Sequence, residues 1–442
     1  MSVWCRLISV LFFISTGAVV SQAHPTPLPR RWDRMIVKHS WDAAPQKWKS
    51  LGHPPADSSI DLYLALKPRD ENLLIDTLHE VSNPGHAKYV PSPPIHVRTN
   101  PFSPTSCCRY GAYLTKEQVA EQVAPHPNTL GLVNSWLKDH GIPSSSVSMT
   151  LGGNRMMVSD VPVPQANDIL GASYLLYHHA EANTTVVRTV SYSLPEALHR
   201  HIQTVSPTTY FGSPRAQWNK ARIQPNPEVY VKPAYLRWKY KTLGYVPAAT
   251  DQNVIGITGY LTEYPNRQDL RAFMTEYRTD GENADFSVAL VNGGYEESNP
   301  GMEANLDLQF AEAMTYPTTN IFYSTGGVMG TTTDPYIHWL AFVLGHSRVP
   351  QTITTSYASN EIEMPQDYAA WLCFAFAQLG ARGASVLFAS GDWGVGQGEC
   401  LVHDGFGNVG ALFQPAFPAS CTCDIVFFSI RKWYTDVGIS YS

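Results

Sequence analysis

From residue 254 onward the sequence alternates short apolar runs with longer amphipathic ones, and this alternation restricts the fold more than any other feature of the chain. Val254–Gly259, Phe286–Val291, Ile321–Tyr323, Thr352–Tyr357 and Ser385–Ser390 have strand length. Runs such as Val386-Leu387-Phe388-Ala389 carry apolar side chains at successive positions, which suits a strand covered on both faces. Helical periodicity falls between them, over Asn266–Tyr277, Gly301–Met314, Ile337–Leu344 and Pro365–Gly380. The expectation is an α/β domain around a parallel sheet.

The earlier part of the chain has a different texture. Strand-like runs over Asp61–Leu66, Val147–Leu151, Arg155–Val158 and Val186–Ser191 are interleaved with helical ones over Glu71–Val81, Lys116–Val123, Thr129–His140 and Pro164–Leu170. These predict a separate α+β module. Pro207–Pro233 is rich in Pro, Asn and Arg without an apolar period, and reads as an exposed, protease-accessible linker. With 44% hydrophobic and 15% charged residues in 442, the chain can bury both cores. A formal charge of −6 offers no basic stripe, so nucleic acid is not an expected partner.

Residues 1–23 place Arg6 before the apolar run Leu7–Val20 and end in Ser21-Gln22-Ala23, the pattern of a cleaved secretory signal. The apolar run is shorter than the roughly 20 residues needed to span a bilayer, so no membrane anchor is expected. Secretion gives meaning to the glycosylation sequon at Asn183-Thr184-Thr185. It also makes Cys400 and Cys421 candidate disulfide partners, whereas Cys373, in an apolar helical run, reads as a buried thiol. The cysteine spacings match no zinc site.

Three acids stand out. Glu303 and Asp307 are four apart on a predicted helix, which stacks their carboxyls on one face. Partly buried, they would share a proton and do acid/base work; fully solvated, they would be ordinary surface acids. Met302, Leu306, Phe310 and Met314 form an apolar stripe beside them, which predicts a position at the edge of the core. Asp392, in Ser390-Gly391-Asp392-Trp393-Gly394, follows a strand's carboxyl end, where reactive groups gather in parallel sheets; the alternative is a turn aspartate. Ser324-Thr325-Gly326-Gly327 would expose a strand edge to an extended peptide, or form a glycine turn. His178, His179, His199 and His201 have no acids at ligand spacing and read as structural. The chain holds no Gly-x-Ser-x-Gly elbow, no His-Glu-x-x-His and no phosphate-binding loop, so any hydrolytic chemistry falls to the acids.

A series of ordered blocks resembles the sedolisins, or serine-carboxyl peptidases, in particular fungal secreted tripeptidyl-peptidases with a pro-kumamolisin-type activation prodomain. The blocks include residues 113–119, 123–127 and 207–215, then Glu303-Ala304-Asn305-Leu306-Asp307, Tyr323-Ser324-Thr325-Gly326-Gly327, residues 378–383, Ser390-Gly391-Asp392 and Phe417-Pro418-Ala419-Ser420-Cys421. The resemblance implies a subtilisin-like α/β catalytic domain in which a serine attacks the peptide bond at acidic pH. Glu303 would take the serine's proton, Asp307 would orient Glu303, and protonated Asp392 would donate to the oxyanion. Residues 324–327 would bind substrate. The implied partners are peptide or protein substrates and the chain's own prodomain as an intramolecular inhibitor.

Against that pattern the expected organisation is a signal at 1–23, a prodomain at 35–206 with an aberrant insertion at 90–110, a linker at 207–233 with the maturation site, a partial peptidase domain at 234–421 and an aberrant tail at 422–442. The family's Gly-Thr-Ser nucleophile block and its calcium site would follow later, and no Gly-Thr-Ser occurs here. The expectation is therefore an inactive polypeptide with the C-terminal part and the calcium site missing. A noncatalytic peptide-binding or inhibitory homologue, and a carboxyl peptidase using Glu303 and Asp307 without serine, are the alternatives.

Overall fold

The computed structural model describes residues 30–45, 47–83, 111–150, 152–180, 183–212, 215–216, 231–250, 252–260, 263–296, 300–326, 334–391, 401–403, 409–411 and 415–421. The predicted signal, the insertion at 90–110, Gly327, Asp392, Cys400 and the tail at 422–442 lie outside the described residues.

The first unit runs from β1 (Met35–Ser40), β2 (Trp48–Gly52) and β3 (Ser59–Leu66) through helices α1 (Leu73–Ser82), α2 (Lys116–Gln122) and α3 (Pro127–Asp139). It continues with β4 (Val147–Met149), β5 (Arg155–Pro162), α4 (Val163–Leu170), β6 (Leu175–His179), β7 (Thr184–Arg188), β8 (Ser191–Pro195) and β9 (Ile202–Ser206). Its strands pair antiparallel, in the orders β4-β5-β3-β9, β2-β6-β7 and β1-β8. Local chemistry sets the helix starts. Thr115 and Gln118 form a reciprocal capping box on α2, and Pro127 opens α3 where its missing N–H costs nothing.

Strand β3 shows why this unit does not stand apart from the next. Its side chains alternate between faces, and Ile60, Leu62, Leu64 and Leu66 enter the first unit's own core. Tyr63 and Ala65, on the opposite face, join a core that also contains Tyr336, Trp339 and Phe376 of the second unit. Both faces of β3 are therefore buried, one in each core.

The second unit comprises β10 (Arg215–Ala216), α5 (Pro233–Lys239), β11 (Val254–Gly259), α6 (Arg267–Tyr277), β12 (Phe286–Val291), α7 (Met302–Thr315) and β13 (Thr319–Thr325). After these come α8 (Pro335–Gly345), β14 (Thr352–Thr355), β15 (Tyr357–Asn360), α9 (Gln366–Ala381), β16 (Ser385–Phe388), β17 (Leu401–His403), β18 (Val409–Ala411) and β19 (Ala416–Phe417). Five strands form an all-parallel sheet in the order β12-β13-β11-β14-β16, as the apolar runs predicted. Ile257, Leu308 and Phe322 fill one side of it; α8 and α9 cover the other.

Three expectations are corrected. Residues 207–212 are not an exposed linker: Thr208, Thr209, Tyr210 and Phe211 are buried, and Tyr174 Oη donates to Pro207 O at 2.6 Å. The ring of Phe211 lies edge-on against those of Trp48 and Tyr177, so this polar-looking run completes the first unit's interior. Cys373 is not a buried thiol. It forms a disulfide with Cys421, the two Cα atoms 5.5 Å apart, because α9 carries residue 373 against the turn that follows β19. Finally, the stripe on α7 is not the buried face. Met302 and Leu306 are 52% and 43% exposed, while Glu303 is only 5% exposed, so the helix turns its first acid inward together with Ala304 and Leu308 and leaves the start of the stripe outside.

Candidate active site

Helix α7 is fixed by polar contacts to the start of α6. Gly301 N donates to Tyr264 O at 2.9 Å, Asn266 N donates to Asn305 Oδ1 at 2.8 Å, and Asn305 Nδ2 donates to Asp269 Oδ2 at 2.7 Å. Locked in this way, α7 presents Glu303 and Asp307 beside the carboxyl ends of β11 and β14, where the sheet order changes direction. Ser356, the residue after β14, donates from Oγ to Asp307 Oδ1 at 2.8 Å. The pair is thus brought together by helical spacing, and its outer member is tied to the sheet.

A further acid, Glu263, belongs to the same cluster. It follows β11, and a Cβ placed on Gly301 would come within 1.4 Å of Glu263 Oε2, so its carboxyl lies against the glycine that opens α7. Buried Tyr357 reports on all three acids. Burial pushes its phenol well above the usual range, and the charges of Asp307, Glu263 and Glu303 add to the effect. No local spacing links residue 263 to residue 303. The available signal was an acid a few residues beyond the end of a predicted parallel strand, a position already recognised for Asp392 but not for Glu263.

Ser324, Thr325 and Gly326 are buried at the end of β13, an interior strand of the sheet. Ser324 Oγ donates to Tyr295 O at 2.9 Å, and Tyr295 N lies 3.2 Å from the same hydroxyl. A Cβ on Gly326 would meet Gly293 backbone at 2.5 Å, so glycine is required by close packing of two chain segments. The strand edge that does receive an extended segment is β15. There Arg215 and Ala216 of β10 pair antiparallel with Ala358 and Tyr357, next in sequence to Ser356.

Asn183 lies exposed in the turn between β6 and β7. The four histidines are structural: His179 is buried against Trp48, His178 and His201 contact Thr185 and Thr129, and His199 Nε2 lies 3.0 Å from Ile36 O. Among the described residues no group of three or more His, Cys, Asp or Glu is arranged to hold a metal. No helix among them is long and apolar enough to cross a membrane.

Residues 98–211 match the family model "Pro-kumamolisin, activation domain". This match runs through the buried segment 207–211 and includes part of the stretch expected to be an insertion. Tripeptidyl-peptidase SED2 of Arthroderma otae is 28% identical over 93% of this chain and 69% of its own length. Probable tripeptidyl-peptidase SED3 of Trichophyton verrucosum is 30% identical over 86% of this chain and 64% of its own. A solved Pseudomonas sedolisin, described as a serine-carboxyl proteinase, matches 43% of this chain and 51% of its own at 17% identity and a TM-score of 0.32, too slight a likeness to bear on the fold. With an activation domain matched in the first unit and tripeptidyl-peptidases aligned along most of the chain, the protein is similar to tripeptidyl-peptidases and carries a pro-kumamolisin-type activation domain.

Proposed function

We propose that this chain is the prodomain and acid-bearing part of a secreted, acid-acting tripeptidyl-peptidase of the serine-carboxyl type. The observation that carries the reading is the placement of Glu303 and Asp307 beside Glu263 and Ser356 at the carboxyl edge of a parallel sheet. In this reading Glu303 accepts the proton of an attacking serine, Asp307 fixes its orientation, and Asp392 donates a proton-bearing hydrogen bond to the oxyanion. A carboxylate base stays useful at a pH where imidazole would be protonated, which accounts for acid action. The pairing of β10 with β15 supports a peptide-binding edge there and an inhibitory role for the segment joining the two units.

No Gly-Thr-Ser occurs in the 442 residues. A polypeptide of these residues alone is therefore proposed not to hydrolyse peptides by the serine route. The test compares it with the same polypeptide fused to a relative's Gly-Thr-Ser-bearing segment, each assayed for tripeptide release from peptides with a free amino end between about pH 3 and 5. The unextended chain should be silent and the fusion active, and Glu303→Gln in the fusion should lower kcat by roughly 10²–10⁴-fold. Release by the unextended chain would assign the chemistry to the acids alone. A fusion whose activity survives Glu303→Gln would overturn the role given to that residue.

A further inference from the structure

Ser356 occupies a position that none of the acid-pair chemistry above requires. It sits between β14 and β15, partly buried, and its hydroxyl is 2.8 Å from Asp307 Oδ1. A seryl O–H can only donate to an ionised carboxylate oxygen, and such a charge-assisted bond favours the charged form of the acid. The surroundings oppose that charge. Glu303 approaches from α7 itself, Glu263 from the segment after β11, and the phenol of Tyr357 from β15, the last buried and held neutral. Acids gathered in one part-buried neighbourhood cannot all ionise together at low cost, so a donor fixed on Asp307 favours the charged form of that acid.

We infer that Ser356 is a positioning residue that holds Asp307 in its charged form beside Glu303. The inference rests on the reading of Glu303 and Asp307 as the reacting pair. It adds a contact that helical spacing does not supply. The contact comes from the sheet: the end of β14 places one hydroxyl against the second acid. A serine there needs no contact with substrate to act, because it works through Asp307.

The test reads protonation rather than catalysis. Carbodiimide couples an amine only to protonated carboxyls, so labelling of the full chain with carbodiimide and glycine methyl ester over a pH series, followed by peptide mass spectrometry, gives a pH midpoint for Asp307. Exposed Asp57 serves as the internal reference. Ser356→Ala is expected to move the Asp307 midpoint upward by about one pH unit, the size of one charge-assisted hydrogen bond, while Asp57 stays in place. Ser356→Thr retains the hydroxyl and should restore the parent midpoint. Ser356→Cys, close in shape to serine but a weak donor, should behave like the alanine variant and carries the test if Ser356→Ala does not fold. An unchanged midpoint in the alanine or cysteine variant, or a threonine variant that fails to restore it, overturns the inference. Labelling uses no substrate, so this result can fail while the peptidase reading stands, and tripeptide release by the fusion can fail while this result stands.

Discussion

Glu312 shares α7 with Glu303 and Asp307 but lies at its other end, buried, with Asn320 Nδ2 donating to its Oε2. Burial pushes its carboxyl from 4.5 up to about 8. The native state therefore keeps the proton over a range in which the unfolded chain has lost it. A raised acid contributes its stability fully below pH 4.5, and that contribution is lost as pH rises through about 8. Between pH 8 and 5 the parent should gain on the order of 2–4 kcal/mol relative to Glu312→Gln, read from urea midpoints at the two pH values. Equal pH dependence in the two proteins would place Glu312 in an ordinary, solvated state. Glu312 also shows the limit of spacing as a guide. The helical period identifies which acids share a face, and it found Glu303 and Asp307. It cannot say which positions turn inward: Met302 and Leu306 of the apolar stripe are exposed, while Glu303 and Glu312, on opposite sides of the helix, are both buried.

At the scale of elements, the periodic signals were the readable ones. β11 and β12 coincide with their predicted apolar runs, α6 differs from its run by one residue at its start, and α9 is shifted by one residue at both ends. Strands of a parallel sheet buried on both faces announce themselves by composition alone. β1, β2 and β9 did not, because they alternate weakly and owe their pairing to partners far along the chain, as in Met35 against Pro195. The site divides in the same way. Its helical half, Glu303 and Asp307, lies within one heptad; Glu263 and Ser356 reach it only through the order of strands in the sheet. The disulfide is a long-range feature of the same kind. Its two cysteines are 48 residues apart and close a loop that contains β16 and joins α9 to the turn after β19. Loop-closure entropy for such a span gives about 4 kcal/mol. Cys373→Ser should therefore lower the unfolding free energy by roughly 2–4 kcal/mol, with Cys421 becoming reactive to thiol reagents in the unfolded state. A non-reducing peptide map that joins Cys421 to another cysteine would refute the pairing.

For the molecule as a whole, the junction between the units is a core and not a thin seam. The Arg155 guanidinium is buried between the rings of Tyr63 and Trp371, 5.3 and 5.6 Å from their centroids, and donates to Ile337 O at 3.3 Å. Ser206 Oγ donates to Asp334 Oδ2 at 3.3 Å, and Lys38 Nζ pairs with Asp367 at 2.8 Å. Asp334 is an unsuitable trigger for acid-driven separation. Burial raises its carboxyl, so its contribution is retained in acid and lost as pH rises. His39 has the opposite sign. Next to Lys38 on β1, with its ring 4.7 Å from that of Trp41, it is held below its ordinary 6.5 by burial, partly offset by Asp367 across the junction. In the folded chain His39 stays neutral where the unfolded chain would take a proton. Its contribution is therefore present above pH 6.5 and is lost as pH falls through the lowered value. Thermal melts of the whole chain from pH 7 to 4.5, compared with His39→Gln, isolate this term from the opposing one at Glu312, which both proteins keep. The parent should lose stability relative to the variant as the pH falls below 6.5, and the two curves should run parallel above it. Parallel curves throughout would show that the imidazole ionises equally in the folded and unfolded states, and any acid sensitivity of the chain would then have to come from groups other than His39.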